Sequence, residues 1–138
     1  MRSLEEKMRA IIDTGLLFEI FEGSETGKKL LDLIINDKIE PMITDITLIE
    51  LTYILCRKSG MDKAKELVKK LIDSGYFTVV NSTSFSDIIA EIKCKFPISF
   101  IDAFNIGSAI GLKVNALFRK ERELLNMKLN NVLFIEDI

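Results

Sequence analysis

Short apolar runs suited to β-strands alternate with amphipathic helical stretches along this chain, and that alternation restricts the fold more than any other feature. Strand signals fall at 8–12, 42–44, 76–80, 114–118 and 132–135. Helical signals fall at 16–21, 25–36, 47–58, 61–74, 84–95 and 100–111. The reasons are local. Tyr76-Phe77-Thr78-Val79-Val80 is β-branched and aromatic, the composition that packs best on a pleated surface. Leu67, Val68, Leu71 and Ile72 recur at helical spacing, with lysines on the opposite face. Pro41 reads as a break before the second strand, and Gly60 and Gly75 as helix ends. Strands joined through helices run parallel, and a parallel sheet must be covered on both faces. The expected fold is α/β, with three layers (α/β/α) around a central, mostly parallel sheet of four to five strands. No linker, repeat or low-complexity segment interrupts the pattern, so residues 1–138 read as a single domain.

Bulk properties remove several function classes. A length of 138 residues suits one packed core, and 48% hydrophobic with 29% charged residues is a globular composition. The net charge of -2 and pI of about 5.3 do not provide a broad electrostatic grip on nucleic acid. A polyanion would have to be held by local Lys and Arg side chains and by bound metal. The chain has no histidine, which excludes His-based triads and His-ligated zinc. Cys56 and Cys94 are far apart and form no paired motif. They read as free buried thiols in a reducing compartment, with a disulfide as the alternative. The first residues carry no secretory pattern, and no apolar run nears the roughly 20 residues needed to span a bilayer. The expectation is a soluble cytoplasmic protein with no membrane partner.

Three acids break apolar runs: Asp13 in Ala10-Ile11-Ile12-Asp13-Thr14, Glu50 in Ile46-Thr47-Leu48-Ile49-Glu50-Leu51, and Asp102 in Ile98-Ser99-Phe100-Ile101-Asp102-Ala103. A carboxylate among apolar neighbours loses solvation, which is unfavourable without a cation or hydrogen bonds. Neither Glu50 nor Asp102 has a Lys or Arg within four residues. Each acid also has a structural reading. Asp13 fits a helix cap, and Thr47-x-x-Glu50 and Ser99-x-x-Asp102 fit loose capping boxes, as does Ser84-x-x-Asp87. As a set they are more specific, because three acids on three elements can meet at one end of a parallel sheet, where sites form. Oxygen donors alone suit Mg²⁺ or Mn²⁺. Asn105, three residues after Asp102, shares its helical face and is a candidate weak ligand or water-orienting group. A fourth acid is expected after the fourth strand, and the candidates are Glu121 and Glu123. Around them Arg119, Lys120 and Arg122 form the densest basic cluster, read either as phosphate contacts or as ordinary surface charge.

With these residues in place, the chain resembles the PIN-domain family, which includes VapC-type toxin ribonucleases. The resemblance runs from Ile11 to about Ile135. It rests on Ile11-Ile12-Asp13-Thr14, on Thr47-Leu48-Ile49-Glu50-Leu51, and on Ser99 to Ala109 with Asp102 opening a helix rich in small residues. The family's fourth motif is a Thr-x-Asp stretch; here it is Arg119-Lys120-Glu121, with Glu121 in the acidic position. The resemblance implies a PIN-like fold and Mg²⁺- or Mn²⁺-dependent cleavage of RNA by in-line attack, leaving a 5′-phosphate. It makes Asp13, Glu50 and Asp102 metal ligands, Glu121 the fourth catalytic acid, and Thr14, Asn105 and Glu123 supporting groups. It also implies an antitoxin protein as partner. The altered fourth motif and acidic pI keep an alternative open, a PIN-like module that binds RNA or protein without cleaving. The nearly all-apolar surfaces of 48–55 and 100–112 suggest a homodimer built through helices.

Overall fold

The computed structural model describes residues 7–138, apart from the side chains of Arg122 and Glu123. Five strands form one sheet: β1 (Met8–Ile12), β2 (Ile39–Thr44), β3 (Thr78–Val80), β4 (Asn115–Phe118) and β5 (Val132–Phe134). Their order is β3-β2-β1-β4-β5 and every pairing is parallel. The helices are α1 (Thr14–Glu22), α2 (Glu25–Ile35), α3 (Asp45–Ser59), α4 (Met61–Asp73), α5 (Ser86–Lys95), α6 (Phe100–Leu112) and the single turn α7 (Arg122–Leu125).

The alternation of side chains along β1 builds the layers. Ala10 and Ile12 point into a core shared with Leu16, Leu17, Leu30, Leu51 and Leu55, which come from α1, α2 and α3. Ile11 points the other way, into a core with Ile89, Ile92, Ala103 and Ile106 from α5 and α6. The sheet is therefore sandwiched between helices, as its strand-helix alternation requires, in a three-layer α/β/α fold.

Several local readings change. Pro41 does not break the chain; it lies inside β2 opposite Ala10. Pairing to β3 begins one residue later, at Met42 with Thr78. Pro41, which has no N–H to give, thus sits where β2 has a neighbour on one side only. The segment with the clearest strand composition yields only the three-residue edge strand β3. The helix anticipated from Ser84 opens instead with a 3-10 turn over Ser82–Phe85. Cys56 and Cys94 are free, but Cys94 is exposed on α5, and Cys56 is only half-buried where α3 packs against the core.

The chain lays down β1, β2 and β3 toward one edge, then crosses back to place β4 on the other side of β1. Strand order reverses between β1 and β4, and the crevice beyond their carboxyl ends is the place for a site. Asp13 follows β1 and Arg119 follows β4. The Asp13 N–H still donates to Leu117 O at 3.0 Å, which pins the start of α1 to β4.

Candidate active site

Each acid is delivered by its own element. Asp13 caps α1 from the end of β1, its Oδ2 accepting from the Gly15 N–H at 3.2 Å. Asp102 occupies the first turn of α6, where its own N–H donates to the Ser99 cap at 3.0 Å. For these two, the capping reading is realised. For Glu50 it is not. The cap of α3 is Thr44, whose hydroxyl accepts from the Thr47 N–H at 3.3 Å, so the helix begins two residues earlier than expected and Glu50 lies in its second turn. Ser84 and Asp87 form no capping pair either, since α5 starts at Ser86 without a side-chain cap.

Asp13, Glu50, Asp102 and Glu121 line one open cleft of about 460 Å³. Its far wall is apolar, made by Ile54 one turn beyond Glu50 and by Pro97, Ile98 and Ile101. Asp13 is only 6% exposed. Burial, then the charges of Asp102 and Glu121 and more weakly Glu50, push its carboxyl up to about 7 from an ordinary 3.8, against the opposing pull of the Gly15 N–H. All three other acids therefore act on Asp13 through space. Even so, among the described residues no three acidic, Cys or His side chains are gathered into a set that would close around one ion. Mutual repulsion opposes closer approach of like charges.

Two anticipated supporting residues point elsewhere. Thr14 is buried and donates to Thr47 Oγ1 at 3.3 Å, so it does not reach into the cleft. Asn105 is fully buried beneath the acids rather than beside them. Its Oδ1 accepts from Thr44 Oγ1 at 2.8 Å and Thr47 Oγ1 at 3.2 Å. Sharing the helical face of Asp102 did not place it in the cleft, because that face turns from the crevice into the sheet. The resulting Thr14–Thr44–Thr47–Asn105 network joins the elements that carry Asp13, Glu50 and Asp102.

The basic cluster is largely committed within the protein. Lys120 pairs with Asp137 at 2.9 Å, and its N–H donates to Glu136. Arg119 pairs with Glu19 of α1 at 3.2 Å. Arg122 and Glu123 have side chains outside the described residues. Glu19 was not anticipated. Its spacing, one turn after Gly15, carries no signal until β4 is known to lie beside β1.

A family model for the PIN domain matches residues 10–128. The chain belongs to the PIN-domain family. No curated protein sequence matches it. Solved structures share the PIN fold at low sequence identity. A toxin–antitoxin complex from Klebsiella pneumoniae aligns with a TM-score of 0.70 at 15% identity, over 91% of this chain and 97% of that one. DNA-bound VapBC from Salmonella typhimurium gives 0.69 at 19% identity, over 93% and 98%. The sarcin-ricin-loop-cleaving toxin VapC20 of Mycobacterium tuberculosis gives 0.63 at 17%, over 78% and 86%. Such identities establish the architecture of a PIN domain and no more. Among the described residues, no helix of this PIN domain is long and apolar enough to cross a membrane.

Proposed function

We propose that this PIN domain is a divalent-metal-dependent endoribonuclease, acting as one domain and serving as the toxin of a toxin–antitoxin pair. The observation that carries the reading is the convergence of Asp13, Glu50, Asp102 and Glu121 on one cleft, with Asp13 held at about 7 by burial and by the other three. Such a concentration of carboxylates attracts a cation. Its donors are all oxygen, in a chain without histidine, which fits Mg²⁺ or Mn²⁺. Asp13, Glu50 and Asp102 would hold the ion, and Glu121 would complete the set from the loop after β4. When bound, the metal supplies Lewis-acid polarisation of the phosphodiester and an activated water. The chain's own part is positional. The Ser99 cap and the buried threonine–Asn105 network fix the three acid-bearing elements, and the Ile54, Pro97, Ile98 and Ile101 wall keeps water from one side of the cleft. The test is cleavage of single-stranded RNA with Mn²⁺ by the intact protein and by Asp13→Asn and Asp102→Asn. Undiminished cleavage by both variants would remove these residues from the mechanism.

A second reading, a PIN module that binds without cleaving, is favoured by the separation of the acids and by the Arg119-Lys120-Glu121 sequence of the fourth motif. Calorimetry decides between them: tight Mn²⁺ binding coupled to turnover excludes it. Assembly as a homodimer is proposed through the apolar groove between α3 and α4, where Ile49, Tyr53 and Met61 are exposed. Light scattering at monomer mass would reject it.

A further inference from the structure

The loop after β4 carries a cation, Arg119, to the edge of a cluster of four acids, yet its ion-pair partner is a fifth acid, Glu19. The local geometry makes that choice consequential. Gly15 separates the two groups. A Cβ at Gly15 would sit 3.3 Å from Asp13 Oδ2 and 3.5 Å from Arg119 Nη2, so carboxylate and guanidinium flank the same bare spot on the first turn of α1. Glu19 lies one turn further along that helix, and its side chain is only 19% exposed. It is fixed from its other side by the Ser24 hydroxyl, which also caps α2. Glu19 thus has little freedom, and through it Arg119 has little. The Arg119 side chain is 43% exposed, leaving N–H groups open to solvent, while its Nε is buried without a hydrogen-bond partner.

Two charges of opposite sign so close would attract strongly in a partly desolvated cleft. Were the guanidinium to swing onto Asp13, it would neutralise the carboxylate the proposed metal site needs, and it would itself be lost to any anionic ligand. Resting on the nuclease reading above, we propose that Glu19 is a positioning residue that holds Arg119 off Asp13, so that the acids stay available to a cation while the guanidinium receives a phosphate of the RNA strand. Arginine suits that task because its planar fork matches phosphate oxygens two at a time.

The experiment measures Mn²⁺ affinity by calorimetry and affinity for a fluorescein-labelled single-stranded RNA by anisotropy, the latter with Ca²⁺, in full-length protein. The variants are Glu19→Gln, Arg119→Gln and Arg119→Lys. Glu19→Gln releases Arg119 toward Asp13 and should weaken Mn²⁺ binding by about threefold or more. Arg119→Gln removes a competing cation and should strengthen it by a similar factor, while RNA binding falls about tenfold. Arg119→Lys keeps the charge but not the fork, and should keep wild-type Mn²⁺ affinity with only partial RNA binding. Opposite shifts in metal affinity from the two halves of one ion pair are not expected of a pair that merely stabilises the fold. If both glutamine variants weaken Mn²⁺ binding, or both leave Mn²⁺ and RNA affinity unchanged, the role of Glu19 is refuted and the nuclease reading stands. If the wild-type protein binds no Mn²⁺ and cleaves no RNA, that reading fails first.

Discussion

Changing Asp13 to Asn exchanges a buried titrating carboxyl for a neutral amide of nearly the same shape. The amide oxygen can still accept from the Gly15 N–H, so the α1 cap survives. What disappears is the energetic penalty of a charge at that position. The carboxyl has a folded pKa of about 7 against an ordinary 3.8. The folded protein therefore keeps a proton that the unfolded chain releases, and metal-free stability must fall as pH rises between those values. The loss amounts to about 1.4 kcal/mol per pH unit, is complete near neutrality, and totals about 4 kcal/mol. In EDTA at pH 8, Asp13→Asn should be the more stable protein, by about 4 kcal/mol or on the order of 10 °C in Tm. Near pH 4 the two should melt together. Thermal unfolding followed by circular dichroism from pH 4 to 8 is the assay, and the diagnostic is the divergence of the curves. Adding Mn²⁺ at pH 8 should narrow the gap to about 1 kcal/mol, since a ligand at 100 times its Kd adds about 2.7 kcal/mol to the wild type, whose site keeps the carboxylate that the variant lacks. Parallel stability curves across this range, or a variant less stable at pH 8, would refute the account of Asp13 as a charge held at a loss for function.

Other outcomes follow from the same geometry. Asp102→Asn should lower the Asp13 pKa toward its ordinary value more than Glu121→Gln does, because Asp102 is the stronger perturbing charge; carboxyl-carbon NMR titration reads this directly. Thr44→Val should destabilise the protein by about 1–2 kcal/mol in urea unfolding, through loss of the α3 cap and of the hydroxyl that Asn105 accepts from. At Gly27 a Cβ would lie 2.1 Å from the Glu19 carbonyl, so Gly27→Ala should force α1 and α2 apart and lower stability by about 1–3 kcal/mol.

How far the site was legible in the chain differs residue by residue. Asp13 and Asp102 announce themselves because each follows or opens an element whose apolar run is visible locally, and their caps need only neighbours two or three residues away. Glu50 was found by the same contrast with its surroundings, but its apparent capping box dissolved once Thr44 was seen to start α3. Helical spacing alone points Asn105 to the cleft, and the family resemblance points Thr14 there. Spacing gives the face of a helix but not what that face meets, and both side chains turned into the sheet instead.

Local chemistry, then, was enough for the alternation of strands and helices, the parallel sheet it demands, the oxygen-only donor set and the three acids. These depend on periodicity and on solvation, which are properties of short segments. Strand order, and with it the adjacency of β1 and β4, depends on how helices pack across the whole sheet. That adjacency brings Glu121 into the cleft with Asp13, and Arg119 to Glu19 from 100 residues away. No window of sequence contains it, because the energy that decides it is the burial of two cores built from every element of the chain.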